Sequence, residues 1–501
     1  MSDLPLSAET TQPKTVNDIP PAGERGGALD RPGFGWAIFE WARNPYYILV
    51  VIYVFAPYFG AVIGQQMMAA GEFDAMTAEE AARAAGAAGQ ATISSVTKWA
   101  GLVAALTAPF LGAALDRGGR RKPLLVFFLG VLAFMSWQLW YAAPDGSGHP
   151  VWLTMTVLVI AYVAYTYSEV THNAMLSVSG RPQALPLISG LGLALGNLAA
   201  TLLLIAIILL FALPEMTGWP LAQPAFGLNV EAGEHYRLAG PLAAVWLVVF
   251  VIPFFLWARD GGTPGASWSQ AGRNGALGLW NTLRRAADNF NILKFLAARM
   301  LYADAMAALL TLGGVYITLF LGWNLIEISA YAIIASAFAF LGGLVGGWLD
   351  NALGPKRALI LEIIGMLATL GFQLSITRES ILFGAIPSHT LWEGVAFTEL
   401  SDVVYLSTAA FLAITATASI SSSRSMLVHL APPERVGEFF GLYAIAGTVT
   451  VWLGPLMVEV FTRMSGDQRI GMSAISLLFV LGLLVLTTVK AGKTPEHDQT
   501  T

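Results

Sequence analysis

Twelve apolar stretches recur along this chain of 501 residues, at 34–64, 93–115, 123–143, 151–176, 186–212, 239–258, 295–321, 327–349, 357–376, 402–422, 437–461 and 470–489. Each is long enough to cross a hydrocarbon layer of about 30 Å as a helix rising ~1.5 Å per residue. Lipid offers no partner to backbone N–H and C=O groups, so segments of this kind must satisfy them internally as helices. With 56% hydrophobic and 12% charged residues, the chain departs from a soluble domain, which is about 25% charged. The expected fold class is an all-α membrane protein, with twelve transmembrane helices in two pseudo-symmetric six-helix bundles.

Loop cations orient the array. The run Gly112-Ala-Ala-Leu-Asp116-Arg117-Gly118-Gly119-Arg120-Arg121-Lys122 packs four cations into six residues between two apolar stretches. Counted from a cytoplasmic N-terminus, 19 of the 27 Lys and Arg fall on the cytoplasmic side, five outside and three within spans. That bias predicts both termini in the cytoplasm. A polar stretch at 259–292, with Arg284 and Arg285, divides the spans six and six. The expected organisation is a disordered cytoplasmic tail at 1–31, an N-terminal bundle at 32–258, a cytoplasmic linker at 259–292, a C-terminal bundle at 293–490 and a short tail at 491–501. Residues 1–31 have neither an apolar core nor a basic start, so they do not read as a cleaved signal peptide.

Composition also excludes chemistries. A net charge of -5 leaves no basic stripe for nucleic acid. The absence of cysteine removes disulfides, thiolate metal sites and catalytic thiols. No Gly-x-x-x-x-Gly-Lys-Ser/Thr loop cradles a nucleotide, since Gly492-Lys493-Thr494 lacks the upstream glycine. Six scattered histidines give no metal spacing. No cofactor is expected, and the chain is not expected to be an enzyme.

Two local patterns concern packing. Thr77-Ala-Glu-Glu80 has capping-box spacing and predicts a short extracellular helix between spans one and two. Gly60/Gly64, Gly192/Gly196, Gly342/Gly346 and Gly343/Gly347 repeat at four-residue spacing, which permits tight helix contact.

Ionisable residues inside apolar spans cost free energy, and they ordinarily face a partner or a watery cavity. Span one places Glu40, Arg43 and Asn44 on one face, beside the kink-forming Pro45. Span four offers Glu169, His172 and Asn173 at the same spacing, and span seven offers Arg299, Tyr302 and Asp304. Span ten is rich in hydroxyls: Ser407, Thr408, Thr415, Thr417, Ser419 and Ser421 to Ser423. Spans one, four, seven and ten are equivalent by a repeat of three, which predicts inverted repeats around one central cavity. Blander readings are an internal Glu40–Arg43 pair, an interfacial Glu169–His172 pair and hydroxyls as helix glue. Asp304 has no opposite charge at i+3 or i+4. Glu362 and Glu459 read as local hydrogen-bonded carboxylates.

These residues resemble a known group. Gly112-x-x-x-Asp116-Arg117-x-Gly119-Arg120-Arg121 is similar to the signature that follows the second helix of the major facilitator superfamily. Within it, Gly35-Trp36-x-x-x-Glu40-Trp41-Ala42, Ile188-Ser189-Gly190-Leu191-Gly192, Ala298-Arg299-Met300-Leu301-Tyr302-Ala303-Asp304 and Gly437-Glu438-Phe439-Phe440-Gly441-Leu442-Tyr443 resemble the vacuole-effluxer family and its bacterial relatives. The resemblance implies the major facilitator fold and a secondary transporter working by alternating access, in fungal members an exporter of amino acids. The chain is further expected to be a multi-pass protein of a bacterial inner membrane and a monomer that takes a small polar solute, and titratable Glu40, Glu169 or Asp304 in low dielectric point to protons as the coupling ion, with another ion left open. A membrane sensor or scaffold that keeps the fold is the alternative, and a membrane-embedded enzyme a third.

Two departures from the family carry expectations. Span one has Glu40-Trp41-Ala42-Arg43 where relatives commonly show Asp-Trp-Ala-Asn, and the pseudo-twofold sets Arg43 opposite Asp304, predicting a pair. In the second copy of the signature, Gly347-Trp-Leu-Asp350-Asn351-Ala352, Asn351 stands where Asp116 stands and Ala352 where Arg117 stands. The first copy is expected to latch the cytoplasmic face, with Asp116 held by the N-terminus of span eleven after Pro432-Pro433-Glu434.

Overall fold

The computed structural model describes residues 29–262, 271–272 and 289–491, apart from residues 213, 215–217, 222, 230, 324, 395, 448, 449 and 451. Most of the expected N-terminal tail, most of the linker with Arg284 and Arg285, and the tail from residue 492 lie outside the described residues.

Helix covers each of the twelve apolar segments: α1 (Arg31–Ala69), α2 (Ala78–Leu115), α3 (Arg121–Gln138), α4 (Val151–Ala174), α5 (Leu185–Ile207), α6 (Glu234–Trp257), α7 (Phe290–Tyr316), α8 (Leu325–Leu353), α9 (Pro355–Gln373), α10 (Leu400–Leu430), α11 in two parts (Val436–Ile445 and Leu453–Ser465) and α12 (Gln468–Thr487). Among the described residues, nine helices are long and apolar enough to cross a membrane, and a tenth is the bent α2. The other two segments fall short for visible reasons. α9 carries Lys356, Arg357 and Glu362 within 19 residues, and α11 is interrupted between Ile445 and Leu453. A two-stranded hairpin, β1 (Ser380–Ile381) with β2 (Ile386–Pro387), sits in the α9–α10 connection.

Local chemistry shapes the helices. Thr77 and Glu80 form the capping box, but the helix it opens is α2 itself, so the expected separate short helix is the first turns of the second span. α2 bends by 43° around residue 105, four residues before Pro109, where a proline ring crowds the preceding carbonyl. In α1, Pro45 withholds the N–H that would bond to the carbonyl of Trp41. The indole N–H of Trp246 on α6 donates to that oxygen instead, at 2.9 Å, so no buried acceptor is orphaned.

Among the described residues the apolar interior forms two large cores, one running from Trp36 to Ala258 and one from Ile292 to Val489, and a small third cluster of Ala108, Leu115, Val170 and Ala174 against which Ala444 of the other half packs. The halves meet where α2 packs on α11 and where α5 packs on α8. Both seams close on glycine. A Cβ on Gly112 would collide with the Gly437 carbonyl, and one on Gly441 would stand 2.6 Å from the Ala108 carbonyl oxygen. A Cβ on Gly343 would stand 2.6 Å from the Gly190 oxygen, and one on Gly347 2.9 Å from the Pro186 oxygen. Gly60 and Gly64 face Gly89 and Ala85 of α2, and Gly192 and Gly196 face Trp36, Glu40 and Asn44 of α1. These contacts draw α2–α11 and α5–α8 together toward the end of the molecule that carries residues 116–122, the basic-loop face.

Candidate functional site

Four charges, three of them buried, join the halves. Arg43 Nη2 donates to Glu40 Oε2 at 2.8 Å along α1, and its Nη1 lies 3.5 Å from Glu169 Oε2 on α4. From the other half, Arg424 on α10 donates to Glu40 Oε1 at 3.2 Å and to Glu169 Oε1 at 3.0 Å. Two cations and two carboxylates therefore alternate in one neutral network, the arrangement that keeps buried charge tolerable. Glu40, Arg43 and Arg424 are almost wholly buried, whereas the Glu169 side chain is 33% exposed. The network therefore borders open space on the α4 side. Arg43 also lies over the Tyr165 ring, 4.1 Å from its centroid, a cation–π contact.

Arg424 is the member that the sequence reading missed. Six residues from the end of α10, it reads as a loop cation if the span stops at residue 422. The helix runs on to Leu430, and no helix-breaking residue intervenes before Pro432. That missing stop signal would have placed Arg424 inside the span.

The other sequence candidates separate into distinct roles. His172 is clamped between the rings of Trp36 and Phe39, with centroids at 4.0 and 4.1 Å. Its backbone carbonyl takes the Trp36 indole N–H, and its Nε2 bonds the Trp36 carbonyl, each at 2.9 Å. This double link fastens α1 to α4. Its Nδ1 lies 3.9 Å from Glu40 Oε1, so it borders the network from inside the wall. Asn44 packs against Gly196, and Asn173 is buried with an unpartnered Oδ1. Arg299 donates to the Tyr443 carbonyl at 2.9 Å and lies over the Tyr443 ring, which ties α7 to α11. Tyr302 shares a 2.7 Å hydrogen bond with Ser423.

The expected Arg43–Asp304 pair does not form. Arg43 finds Glu40 one helical turn away on its own helix and Glu169 across from it. Asp304 is 1% exposed with neither carboxylate oxygen hydrogen-bonded, and Thr450 is the hydroxyl beside it. Pseudo-symmetry gave the two residues equivalent positions, but a partner three residues away captures the guanidinium first.

The basic-loop face carries the second constellation. Asp116 ends α2 and accepts from the backbone N–H groups of Gly437 (2.8 Å) and Glu438 (2.7 Å) at the start of α11. A helix N-terminus supplies free donors and a partial positive charge. Arg121 stands 3.7 Å from the same carboxylate and donates to the Ala174 carbonyl of α4 at 2.8 Å. Burial pushes the Asp116 carboxyl up to about 6, against the opposing pull of the two N–H groups and Arg121. A second carboxylate repeats the device within the first half: Asp260 accepts from the Arg121 and Lys122 N–H groups at 2.7 and 2.9 Å, holding the start of α3. Asp260 falls in what reads as linker, so nothing in the sequence singles it out.

The signature divides. Gly112, Asp116, Gly119 and Arg121 are at contacts, Gly119 where its carbonyl would meet a Cβ on Gly262. Arg117 and Arg120 are exposed, and Arg117 only bonds back to the Ala113 carbonyl at 3.1 Å. In the second copy, Gly347 packs on the start of α5 as Gly112 packs on α11, while Asn351 and Ala352 are exposed.

Comparison with known proteins places the chain. A family model described as "Vacuole effluxer Atg22 like" matches residues 179–498. Autophagy-related protein 22 of Coccidioides immitis is 26% identical over 344 residues, covering 65% of this chain and 52% of that protein. The chain thus spans about half the length of this fungal relative. An uncharacterised MFS-type transporter of Bacillus subtilis, YxiO, is 21% identical over 93% of this chain and 95% of its own length. Among solved structures, the human organic anion transporter MFSD10 superposes with a TM-score of 0.63 at 12% identity, over 91% of this chain and 99% of that one. The major facilitator transporter FucP in its outward conformation superposes with 0.60 at 14%, over 94% and 100%. The chain belongs to the vacuole effluxer Atg22-like family and is built on the major facilitator fold.

Proposed function

We propose that this protein is a secondary active transporter that moves a small polar solute by alternating access, with its two halves (32–258 and 293–490) rocking about the Glu40–Arg43–Glu169–Arg424 network. The observation that carries this reading is Arg424. A charge from one half completes an ion network on the other, so separating the halves breaks it, and a solute with charges of its own is what can take its place. Asn44, Asn173, Tyr302 and Asp304 supply further polar groups around the same region, with His172 and Arg299 holding its walls.

Loop cations orient the basic-loop face to the cytoplasm, in a bacterial inner membrane with both termini inside. Asp116, held by α11 and backed by Gly112, Gly119 and Arg121, then latches the cytoplasmic side, and the described state is the one closed to the cytoplasm. FucP, solved in an outward conformation, supports that assignment. The family's name supports export, with amino acids or related compounds as the solute class. Proton coupling fits Asp304, a buried carboxylate with no cation beside it among the described residues, and a fold neighbour described as a fucose:proton symporter. The working unit is a monomer.

A thermal-shift screen of the purified protein against amino acids, peptides, sugars and organic acids at several pH values tests this directly. Binding raises apparent stability by mass action, so at least one class is expected to shift the wild type, with altered pH dependence in Asp304→Asn. If no class shifts it and no flux appears in proteoliposomes, the sensor or scaffold reading takes its place.

A further inference from the structure

Five consecutive residues of α10 reach six different helices. Ser421 donates to Ser189 Oγ of α5 at 3.3 Å, Ser422 to Glu362 Oε1 of α9 at 2.9 Å, Ser423 bonds Tyr302 of α7, Arg424 reaches Glu40 and Glu169 in the other half, and Ser425 faces Asp350 of α8. Two of these contacts end on carboxylates that the network does not use. Asp350 is 3% exposed with both oxygens unpartnered, and Glu362 is 2% exposed with Oε2 unpartnered. The two carboxylates are neighbours. The Ser425 hydroxyl is fully buried and, with that of Ser422, lies beside Asp350.

No cation neutralises this pair among the described residues. On α9, Lys356 is spent on the carbonyls of Thr487 and Val489, and Arg357 is exposed. On α10, Arg424 is spent on the network, and His429 bonds the Ser425 carbonyl through Nδ1 at 2.7 Å. On α7, Arg299 is spent on Tyr443, while Tyr302 faces Glu362 as a neutral phenol. α5 and α12 contribute no Asp, Glu, His, Lys or Tyr, and Arg469 of α12 lies over Phe320. Two adjacent carboxylates in a low-dielectric interior cannot both stay ionised without compensation.

We propose that Asp350 and Glu362 hold one proton between them, and that its loss to water at the basic-loop face loosens the α5–α8 seam. Asp350 lies one turn beyond Gly347, which rests on Pro186 and Leu187 of α5. Repulsion between two bare carboxylates would push the end of α8 away from α9, and the shared turn of α10 would carry that strain to Arg424. A role in coupling rests on the transport reading above; the proton itself does not.

Infrared titration of the purified, full-length protein tests the site without measuring flux. A protonated-carboxyl band that disappears as pH rises is expected in the wild type, displaced in Ser425→Ala and lost in Glu362→Gln. A wild type without such a band, or a band unchanged in Glu362→Gln, overturns the proposal. A band that sodium removes at constant pH replaces the proton with a cation site. The chain has no cysteine, so Ser189→Cys gives a single reporter on the seam. Its labelling is expected to rise with pH and to become independent of pH when Glu362→Gln is added. A pH-independent wild-type reporter overturns the link to the seam, and absent flux with an intact band would instead sink the transport reading alone.

Discussion

The two seams between the halves share a backbone design and differ in electrostatics. Gly112 meets Gly437 at one, and Gly343 meets Gly190 at the other, each letting two helices touch main chain to main chain. At the α2–α11 seam Asp116 adds a carboxylate seated on two N–H groups. At the α5–α8 seam the equivalent Asn351 is exposed. Close packing holds both seams, and only the first carries a charge fixed directly across the contact. The second is tied to charge at one remove, through α10.

The largest effect on this comparison comes from the network that both seams flank. Arg424→Gln leaves Glu40 and Glu169 sharing Arg43 alone, and removing one partner of a buried pair costs roughly 3–5 kcal/mol. Loss of substrate-dependent thermal shift and full labelling of a Ser189→Cys reporter are the expected results. A variant whose reporter stays protected would show that the seams close without the network.

How far this site was legible in the sequence depended on distance along the chain. The Asp116 contact was, because a motif after an apolar run and a proline-stopped helix start are both local signals. The succession of apolar helices and the polar character of α1, α4, α7 and α10 were legible for the same reason. Arg424 was hidden by an error of about two turns in where a serine-rich helix ends, at Leu430 instead of 422. The Arg43–Asp304 expectation failed because symmetry fixes which positions correspond and leaves open which partner lies nearest. Asp350 escaped notice beside Asn351, since one residue of rotation, about 100° on a helix, separates an exposed side chain from a buried one.

Gly343→Val tests the uncharged seam next. Its first side-chain carbon would stand 2.6 Å from both the Ala194 nitrogen and the Gly190 oxygen, and overpacking of this kind costs about 1–3 kcal/mol. Reporter labelling from the basic-loop face should rise by about ten- to a hundredfold. If the α2–α11 latch alone keeps the halves together, labelling will not change.

Asp116→Asn is expected to do less, because the amide still accepts one N–H, and the charge-assisted part that is lost, about 1 kcal/mol, is offset by the burial that disfavours the charge. The same residue gives the charged seam a pH dependence with a definite sign. Burial raises its carboxyl from 3.8 to about 6 in the latched state, and release into water returns it to the ordinary value. The latched form therefore binds the proton more tightly, and closure is favoured as pH falls from 6 toward 4. Above pH 7 both forms are ionised, and this residue contributes no pH dependence. With the reporter placed on the α2–α11 seam instead, labelling that falls between pH 7 and 5 in the wild type and is flat in Asp116→Asn is expected; a rise on acidification would contradict the assignment.

The smallest effect is the most discriminating. If a carboxylate at the signature position made a latch by itself, Asn351→Asp would give the α5–α8 seam the lock it lacks. The start of α5 argues otherwise. Where α11 offers the N–H groups of Gly437 and Glu438, α5 begins Leu185–Pro186, and proline has no N–H to donate. Asn351 is also exposed, so a new carboxylate would stay hydrated. The expected change in labelling and thermal midpoint is within about 0.5 kcal/mol. Pro186→Ala combined with Asn351→Asp restores the missing donor, and only that double variant should gain protection. Protection from Asn351→Asp alone would mean that the donor end of the latch is dispensable, and that the contrast between the seams lies in the acid rather than in the helix that receives it.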